Sequence, residues 1–274
     1  MDDYLEVNKA NWDERAPAHA RSADYGFDRF IEDPGHLSDV VRFDLPLLGD
    51  VTGLRGVHLQ CHIGTDTISL ARLGAVMTGL DFSGAALEQA GRLAEVANTP
   101  VDFVEADVYD AVEVLGEASY DLVFTGIGAL CWLPSVQRWA STVARLLRPG
   151  GRLFIREGHP VLWALGLPRD DGLVTLDFPY FEQEQALEWH EPGTYVDSDV
   201  EFEHNSTREW NHGLGEVVTA LLHERMTITG LVEHDSVPWD ALPGWMERLD
   251  TGEWRLRERP ERLPHTYTLQ AVKR

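Results

Sequence analysis

From residue 57 to about 157 the chain alternates short apolar runs with helix-like stretches, and no other feature restricts its fold so strongly. The apolar runs fall at 57–59, 76–80, 101–104, 122–125 and 153–156. Residues 65–73, 84–97, 108–115 and 136–147 between them carry helical spacing. Strand–helix alternation with right-handed crossovers predicts a parallel, doubly wound sheet covered on both faces. Arg148-Pro149-Gly150-Gly151 stops the last of these helices, and its glycines supply the positive φ of a turn into the next strand.

The flanks read differently. Residues 4–33 are polar and look helical, then irregular, with a further helix over 37–48. Residues 174–210 are rich in aromatics (Phe178, Tyr180, Phe181, Trp189, Tyr195, Phe202 and Trp210) at spacings closer to antiparallel strands than to helices. A helix with Val217, Val218, Leu221 and Leu222 on one face follows. Two β-rich runs, 227–232 and 266–272, are separated by an excursion through Trp239, Trp245 and Trp254. No sharp linker appears, so residues 1–274 read as one domain. Its parts are a helical lid (1–50), a ligand-binding core (51–165), a cap insertion (170–212) and a helix with strands that complete the sheet (213–274).

Charge narrows the partners. Lys plus Arg is 23 against 46 Asp plus Glu, a formal net charge of −23. Such a surface repels phosphate backbones and anionic lipid, which argues against nucleic acid and membrane partners. The start of the chain, 1–17, is polar and acidic without the basic and apolar runs of a signal peptide, and no run of apolar residues suits a membrane span. With only Cys61 and Cys131, the expectation is a cytoplasmic protein with reduced thiols. His190, His204 and His212 match no compact ligand spacing, so no metal is expected. A homodimer remains compatible with all of this.

In open parallel sheets ligands bind beyond the carboxyl ends of the strands. Three such ends stand out. The first is His58-Leu59-Gln60-Cys61-His62-Ile63-Gly64, where only Gly64 lacks a side chain. The second, Asp81-Phe82-Ser83, ends a strand on a carboxylate about 20 residues later, a spacing that suits an acid accepting from a ribose diol. Ser83 is the better N-cap for the next helix, which leaves Asp81 free for a ligand. The third, Glu105-Ala106-Asp107-Val108, again ends beside an acid, which suits an adenine amino group or a helix cap.

Taken in order, these loops resemble the class I S-adenosylmethionine-dependent methyltransferases, from about 57 to 154 and more loosely onward. Tyr120-Asp121-Leu122-Val123-Phe124 resembles the family's fourth strand, and Leu146-Leu147-Arg148-Pro149-Gly150-Gly151-Arg152-Leu153 its run into the fifth. The last two strands resemble its reversed terminal hairpin. The resemblance implies a Rossmann-like α/β sheet of seven strands, here with an antiparallel cap insertion. It implies S-adenosylmethionine as cofactor, S-adenosylhomocysteine as product and a small-molecule methyl acceptor as partner. The cofactor would be held by Gln60, His62, Gly64, Asp81, Phe82, Ser83, Ala106, Asp107, Val108 and Gly126. One departure matters: His58 stands where the family has an acid, and Gln60 and His62 replace glycines, so these side chains either contact the cofactor or displace it. An Asn-x-x-x-Trp region at Asn8 and Trp12 belongs to the likeness, with Trp12 and Tyr25 as aromatic lid residues facing a sulfonium.

Methyl transfer needs positioning, which supplies about 7–11 kcal/mol, more than a general base at about 10²–10⁴-fold. Candidate bases are His159 and Glu157 at the end of the fifth strand and His212 beyond the cap. Trp163, Tyr180 and Trp210, with Trp189 beside them, are candidates for the acceptor pocket. A nicotinamide-dependent oxidoreductase would need G-x-G-x-x-G after the first strand, which is missing. A non-catalytic S-adenosylmethionine-binding module is the other alternative, suggested by the altered first loop.

Overall fold

The computed structural model describes residues 3–274. Met1 and Asp2, the start of the stretch read as the lid, lie outside the described residues. In chain order the elements are α1 (Tyr4–Arg21), α2 (Phe27–Glu32), α3 (Asp39–Leu48), β1 (Arg55–Leu59), α4 (Thr65–Arg72), β2 (Val76–Asp81) and α5 (Gly84–Val96). Then come β3 (Asp102–Glu105), α6 (Ala111–Leu115), β4 (Tyr120–Thr125), α7 (Val136–Leu146), β5 (Leu147–Gly158) and α8 (Pro160–Trp163). The chain finishes with β6 (Leu187–His190), β7 (Ser206–Glu209), α9 (Leu214–His223), β8 (Met226–His234), β9 (Met246–Arg248), β10 (Trp254–Leu256) and β11 (Thr266–Lys273).

Seven strands form one sheet in the order β3-β2-β1-β4-β5-β11-β8. The first five are parallel, and β11 runs antiparallel to both β5 and β8. This is the doubly wound, seven-stranded arrangement with a reversed terminal strand that the sequence predicts. Strand order reverses between β1 and β4, which places the ligand crevice beyond their carboxyl ends.

Alternation along β1 explains the two-sided cover. Val57 and Leu59 are buried against Trp139 and Val143 of α7 and Val217 and Leu221 of α9. On the other face Met77, Leu122, Phe124 and Phe154 meet Val41 and Leu48 of α3 and Leu70 of α4. Helix starts are set by serines: Ser38, Ser83 and Ser135 each accept a hydrogen bond from an N–H of the first turn.

Three local expectations change. The helix expected over 108–115 is a 3₁₀ turn, Val108–Asp110, followed by the short α6. The aromatic segment read as antiparallel strands forms a ribbon where β6 meets β7 and one isolated antiparallel bridge between Leu165 and Leu176, and most of the rest is irregular. The excursion before β11 folds into a small β9–β10 ribbon that the sequence did not reveal.

Helix α1 is unusual in what it buries: Asn8, Asn11, Arg15 and His19. These polar side chains hold the backbone of the cap. Asn8 exchanges two hydrogen bonds with the main chain of Arg208, 2.9 and 2.8 Å long. Asn11 donates to His204 O at 2.8 Å, and Arg15 reaches Gly193 O and His204 O at 2.9 and 2.7 Å. Glu14 accepts from the N–H groups of Glu203 and His204. α1 and the cap are thus fastened together over the carboxyl edge of the sheet. Among the described residues no helix is long and apolar enough to cross a membrane.

Candidate functional site

The loop after β1 departs from ordinary backbone geometry. Gln60 has φ 58°, His62 has φ 50° and Gly64 has φ 79°. Gly64 is required twice over, because a Cβ there would also lie 2.7 Å from Ala90 Cβ. Holding a non-glycine residue in the left-handed region costs about 1–2 kcal/mol. Several contacts offset that cost. Gln60 Nε2 donates to Ala129 O at 2.8 Å, and the His62 N–H donates to Asp81 Oδ2 at 2.8 Å. His62 Nε2 lies 2.8 Å from His19 Nδ1, and its ring meets Trp12 edge-on at 4.9 Å. Trp12 also touches Trp132, 5.2 Å away on the loop after β4. Trp12 and the Gln60–Ala129 hydrogen bond together span the crevice between β1 and β4. Burial holds His19 down to about 4 and pushes His62 well below the ordinary imidazole range, so both rings are neutral.

His58 stands one residue before the end of β1. It is buried against Phe124 and bonded through Nδ1 to Thr67 at 2.9 Å. Gly126 lies beside it: a Cβ at 126 would sit 3.3 Å from His58 Nε2.

Asp81 ends β2 with 4% of its surface exposed. Its Oδ2 accepts from His62 N and its Oδ1 from Ser83 N at 2.9 Å. Burial pushes its carboxyl up to about 6, against the pull of those N–H groups and of Lys9. Ser83 caps α5 through Ala86 N at 3.0 Å and donates to Asp13 at 2.7 Å, so capping does not fall to Asp81. Lys9 Nζ grips Phe82 O at 2.6 Å and Glu105 at 2.9 Å. At the next strand end, Ala106 N donates to Asp81 O at 3.0 Å, Val108 is buried, and Asp107 accepts from Tyr109 N at 2.7 Å as a cap. Each Asp81 oxygen retains a lone pair for a further donor, and Gln60 Oε1 is a buried acceptor without a partner. This donor and acceptor set fits a nucleoside with a polar tail.

The ends of β4 and β5 form the other half. Glu157 is buried and accepts from the N–H groups of Gly128 at 2.9 Å, Ala129 at 3.1 Å and Gly158 at 3.2 Å. Burial pushes its carboxyl up to about 7, opposed by those hydrogen bonds. It faces a cavity of about 10 Å³, shared with Cys131, Trp163, Trp210, His212 and Tyr267. That is room for about one water.

The candidates chosen from sequence divide here. Glu157, His212, Trp163 and Trp210 converge on one cavity. His212 has both ring nitrogens engaged: Nδ1 with Glu182 at 2.8 Å, and Nε2 with Leu130 O and Leu133 O at 3.0 and 2.9 Å. His159 lies elsewhere, capping α8 through Val161 N and bonded to Glu233 of β8 at 2.9 Å. Tyr180 packs on Gly213 and lines a separate open groove of about 540 Å³ with Phe181, Glu182 and Glu216. Trp189 rests on Phe178 at 5.0 Å. Tyr25 joins the His19–His62 cluster and bonds to Tyr195. Sequence reasoning missed His19, Tyr195 and Tyr267. Only Tyr267 had a signal, since the antiparallel register sets it opposite Glu157.

Comparison with known proteins agrees with this fold. A family model described as a methyltransferase domain matches residues 57–153. A Diels-Alderase from Talaromyces variabilis, described as S-adenosyl-L-methionine-dependent, is 33% identical over 107 residues, 38% of this chain and 36% of that protein. A ubiquinone biosynthesis O-methyltransferase from Photorhabdus laumondii is 33% identical over 106 residues, 39% of this chain and 43% of that protein. The chain therefore spans less than half the length of these curated relatives. Among solved structures, an S-adenosylmethionine-dependent methyltransferase from Mesorhizobium loti superposes with a TM-score of 0.56 at 22% identity, covering 83% of this chain and 94% of that one. A geranyl diphosphate C-methyltransferase from Streptomyces coelicolor, solved with S-adenosyl-L-homocysteine, gives 0.53 at 12% identity, covering 85% and 78%. At such identities the structural likeness shows the fold. Residues 57–153 thus match a methyltransferase domain, and the fold is the one seen in solved S-adenosylmethionine-dependent methyltransferases.

Proposed function

We propose that this protein transfers a methyl group from S-adenosylmethionine to an oxygen or nitrogen of a small molecule. One observation carries the reading: two buried carboxylates, Asp81 and Glu157, flank the crevice between β1 and β4, and the loop after β1 joins them. Asp81 accepts from the ribose hydroxyls, while the Ala106–Val108 edge, with Asp107, borders the adenine. Glu157, between the β4 loop and an aromatic-walled cavity, takes the proton that the acceptor loses. His212 pins the cap to the β4 loop, and Trp163, Trp210 and Tyr267 wall the acceptor. The bound cofactor supplies an electrophilic methyl on a sulfonium whose leaving group is a thioether. Holding the reactants in line is the protein's larger contribution, about 7–11 kcal/mol. The acidic chain and the carboxylate inside the cavity favour neutral or cationic acceptors over anionic ones. The ubiquinone-pathway relative, by its name an O-methyltransferase, supports a hydroxyl as the first acceptor to test.

Calorimetry with S-adenosylmethionine, S-adenosylhomocysteine and NADH tests the reading. Both sulfur nucleotides should bind and NADH should not; the reverse pattern overturns it. Asp81→Ala should weaken S-adenosylhomocysteine about 10–150-fold, the equivalent of about 1.5–3 kcal/mol for hydrogen bonds to a charged group.

A further inference from the structure

We infer that the Gln60 amide reads the ammonium group at the amino-acid end of the methyl donor, and that the Trp12 indole N–H is set to meet the adjoining carboxylate. The assignment rests on the cofactor reading above and deepens it from the nucleoside to the tail.

The amide orientation is decided by its neighbour. Ala129 O can only accept, so the atom 2.8 Å from it is Nε2, and Oε1 is the end that points elsewhere. That oxygen is buried with no partner. Trp12 Nε1 is likewise buried with no partner. One is an orphaned acceptor and the other an orphaned donor. Both border one crevice: Gln60 bridges the loops after β1 and β4, and Trp12 lies between His62 of the first loop and Trp132 of the second.

Leaving a buried polar atom unpaired is unfavourable, and so is the φ of 58° at Gln60. Two unfavourable features at one residue are explained if a ligand completes it. An α-amino acid carries the matching pair, a cationic donor beside an anionic acceptor. The two histidines nearby are less suited to the task, because His19 and His62 bond to each other and His19 also meets Thr194 at 2.6 Å. His58, at the acid's usual place, is bonded through Nδ1 to Thr67, and its Nε2 is buried without a partner beside Gly126.

The test compares two ligands by calorimetry on the full chain. S-adenosylhomocysteine has the amino-acid end, and methylthioadenosine keeps the nucleoside and thioether without it. Gln60→Leu, which removes the amide, should weaken S-adenosylhomocysteine about 10–100-fold and leave methylthioadenosine within about twofold. Trp12→Phe, which keeps an aromatic ring, should cost S-adenosylhomocysteine about 3–10-fold with methylthioadenosine again unchanged. Equal losses for both ligands, or no loss for either, overturn the assignment. Should Gln60→Leu fail to fold, the wild-type preference decides: equal affinity for the two ligands overturns the assignment and a strong preference for S-adenosylhomocysteine supports it. Binding of neither ligand by the wild type overturns the cofactor reading itself.

Discussion

Asp81 and Glu157 are built alike and surrounded differently. Each closes a parallel strand, each is almost fully buried, and each is held by backbone N–H groups. Each carboxyl is pushed up by burial, to about 6 and about 7. Around Asp81, Lys9 and the N–H groups of Ser83 and His62 favour the ionised form, while the nearby Asp13 charge opposes it. Around Glu157 stand Cys131, Trp163, Trp210, Asn211, His212 and Tyr267, with no Lys or Arg lining the cavity. Under the proposed function, the same construction would serve as a binding group at one strand end and a proton acceptor at the other. The difference lies in the side chains around them, because backbone donors stabilise both carboxylates and cannot distinguish them.

The largest effect should come from Glu157→Gln. Turnover, followed as S-adenosylhomocysteine release with a phenol or amine chosen from an acceptor panel, should fall about 10²–10⁴-fold. S-adenosylhomocysteine affinity should stay within about twofold, the mirror image of Asp81→Ala. In the wild type kcat should rise with one ionisation near 7, and the variant should lose that step. If Glu157→Gln damages nucleotide affinity as Asp81→Ala does, the contrast between the two strand ends fails.

A pH series separates them next. A carboxyl whose folded pKa is raised contributes stability below its unfolded pKa, and that contribution is lost as pH rises through the folded pKa. Asp44 and Glu157 titrate near 8 and 7 when folded, so the melting temperature should climb as pH falls from 8 to about 6.5. Below 6.5 the neutral histidines act the other way. His19 and His58 are held to about 4 and about 3, and the stability they contribute above 6.5 is lost as pH falls. The carboxyls go on adding stability down to about 4, so the histidines should flatten the climb below about 6.5. Affinity for S-adenosylhomocysteine should instead weaken about tenfold per unit below about 6, as Asp81 takes up its proton. Affinity independent of pH between 7 and 5 would remove Asp81 from the nucleoside site.

The sheet was legible because its signals are local. Strand–helix alternation, Ser83 as a cap and Asp81 as a strand-final acid all lie within short windows. The cap was not. Its backbone from Gly193 to Arg208 is bonded by Asn8, Asn11, Glu14 and Arg15, nearly two hundred residues earlier, and no local pattern encodes such pairing. Helix α1 escaped a clear assignment for the related reason that its buried face is polar, without an apolar stripe. His159 and His212 looked alike as candidates. Only tertiary partners, Glu233 for one and two carbonyls with Glu182 for the other, show what each holds.

The smallest predicted effect probes the loop that ties the two carboxylates together. His62 N binds Asp81, Gln60 binds Ala129 O, and Ala129 N binds Glu157. At φ 58° a glycine sits without strain, whereas alanine keeps the strain and loses the amide. Gln60→Gly should therefore be more stable than Gln60→Ala by about 1 kcal/mol, a difference of about 2–4 °C in Tm for a domain of this size. In α5 the order should reverse, with Ala90→Gly losing about 1 kcal/mol. Because both Gln60 variants lack the amide, they should lose S-adenosylhomocysteine affinity equally while differing in Tm. If alanine proves as stable as glycine at 60, the left-handed turn is not what the loop maintains, and its geometry cannot be what joins the two strand ends.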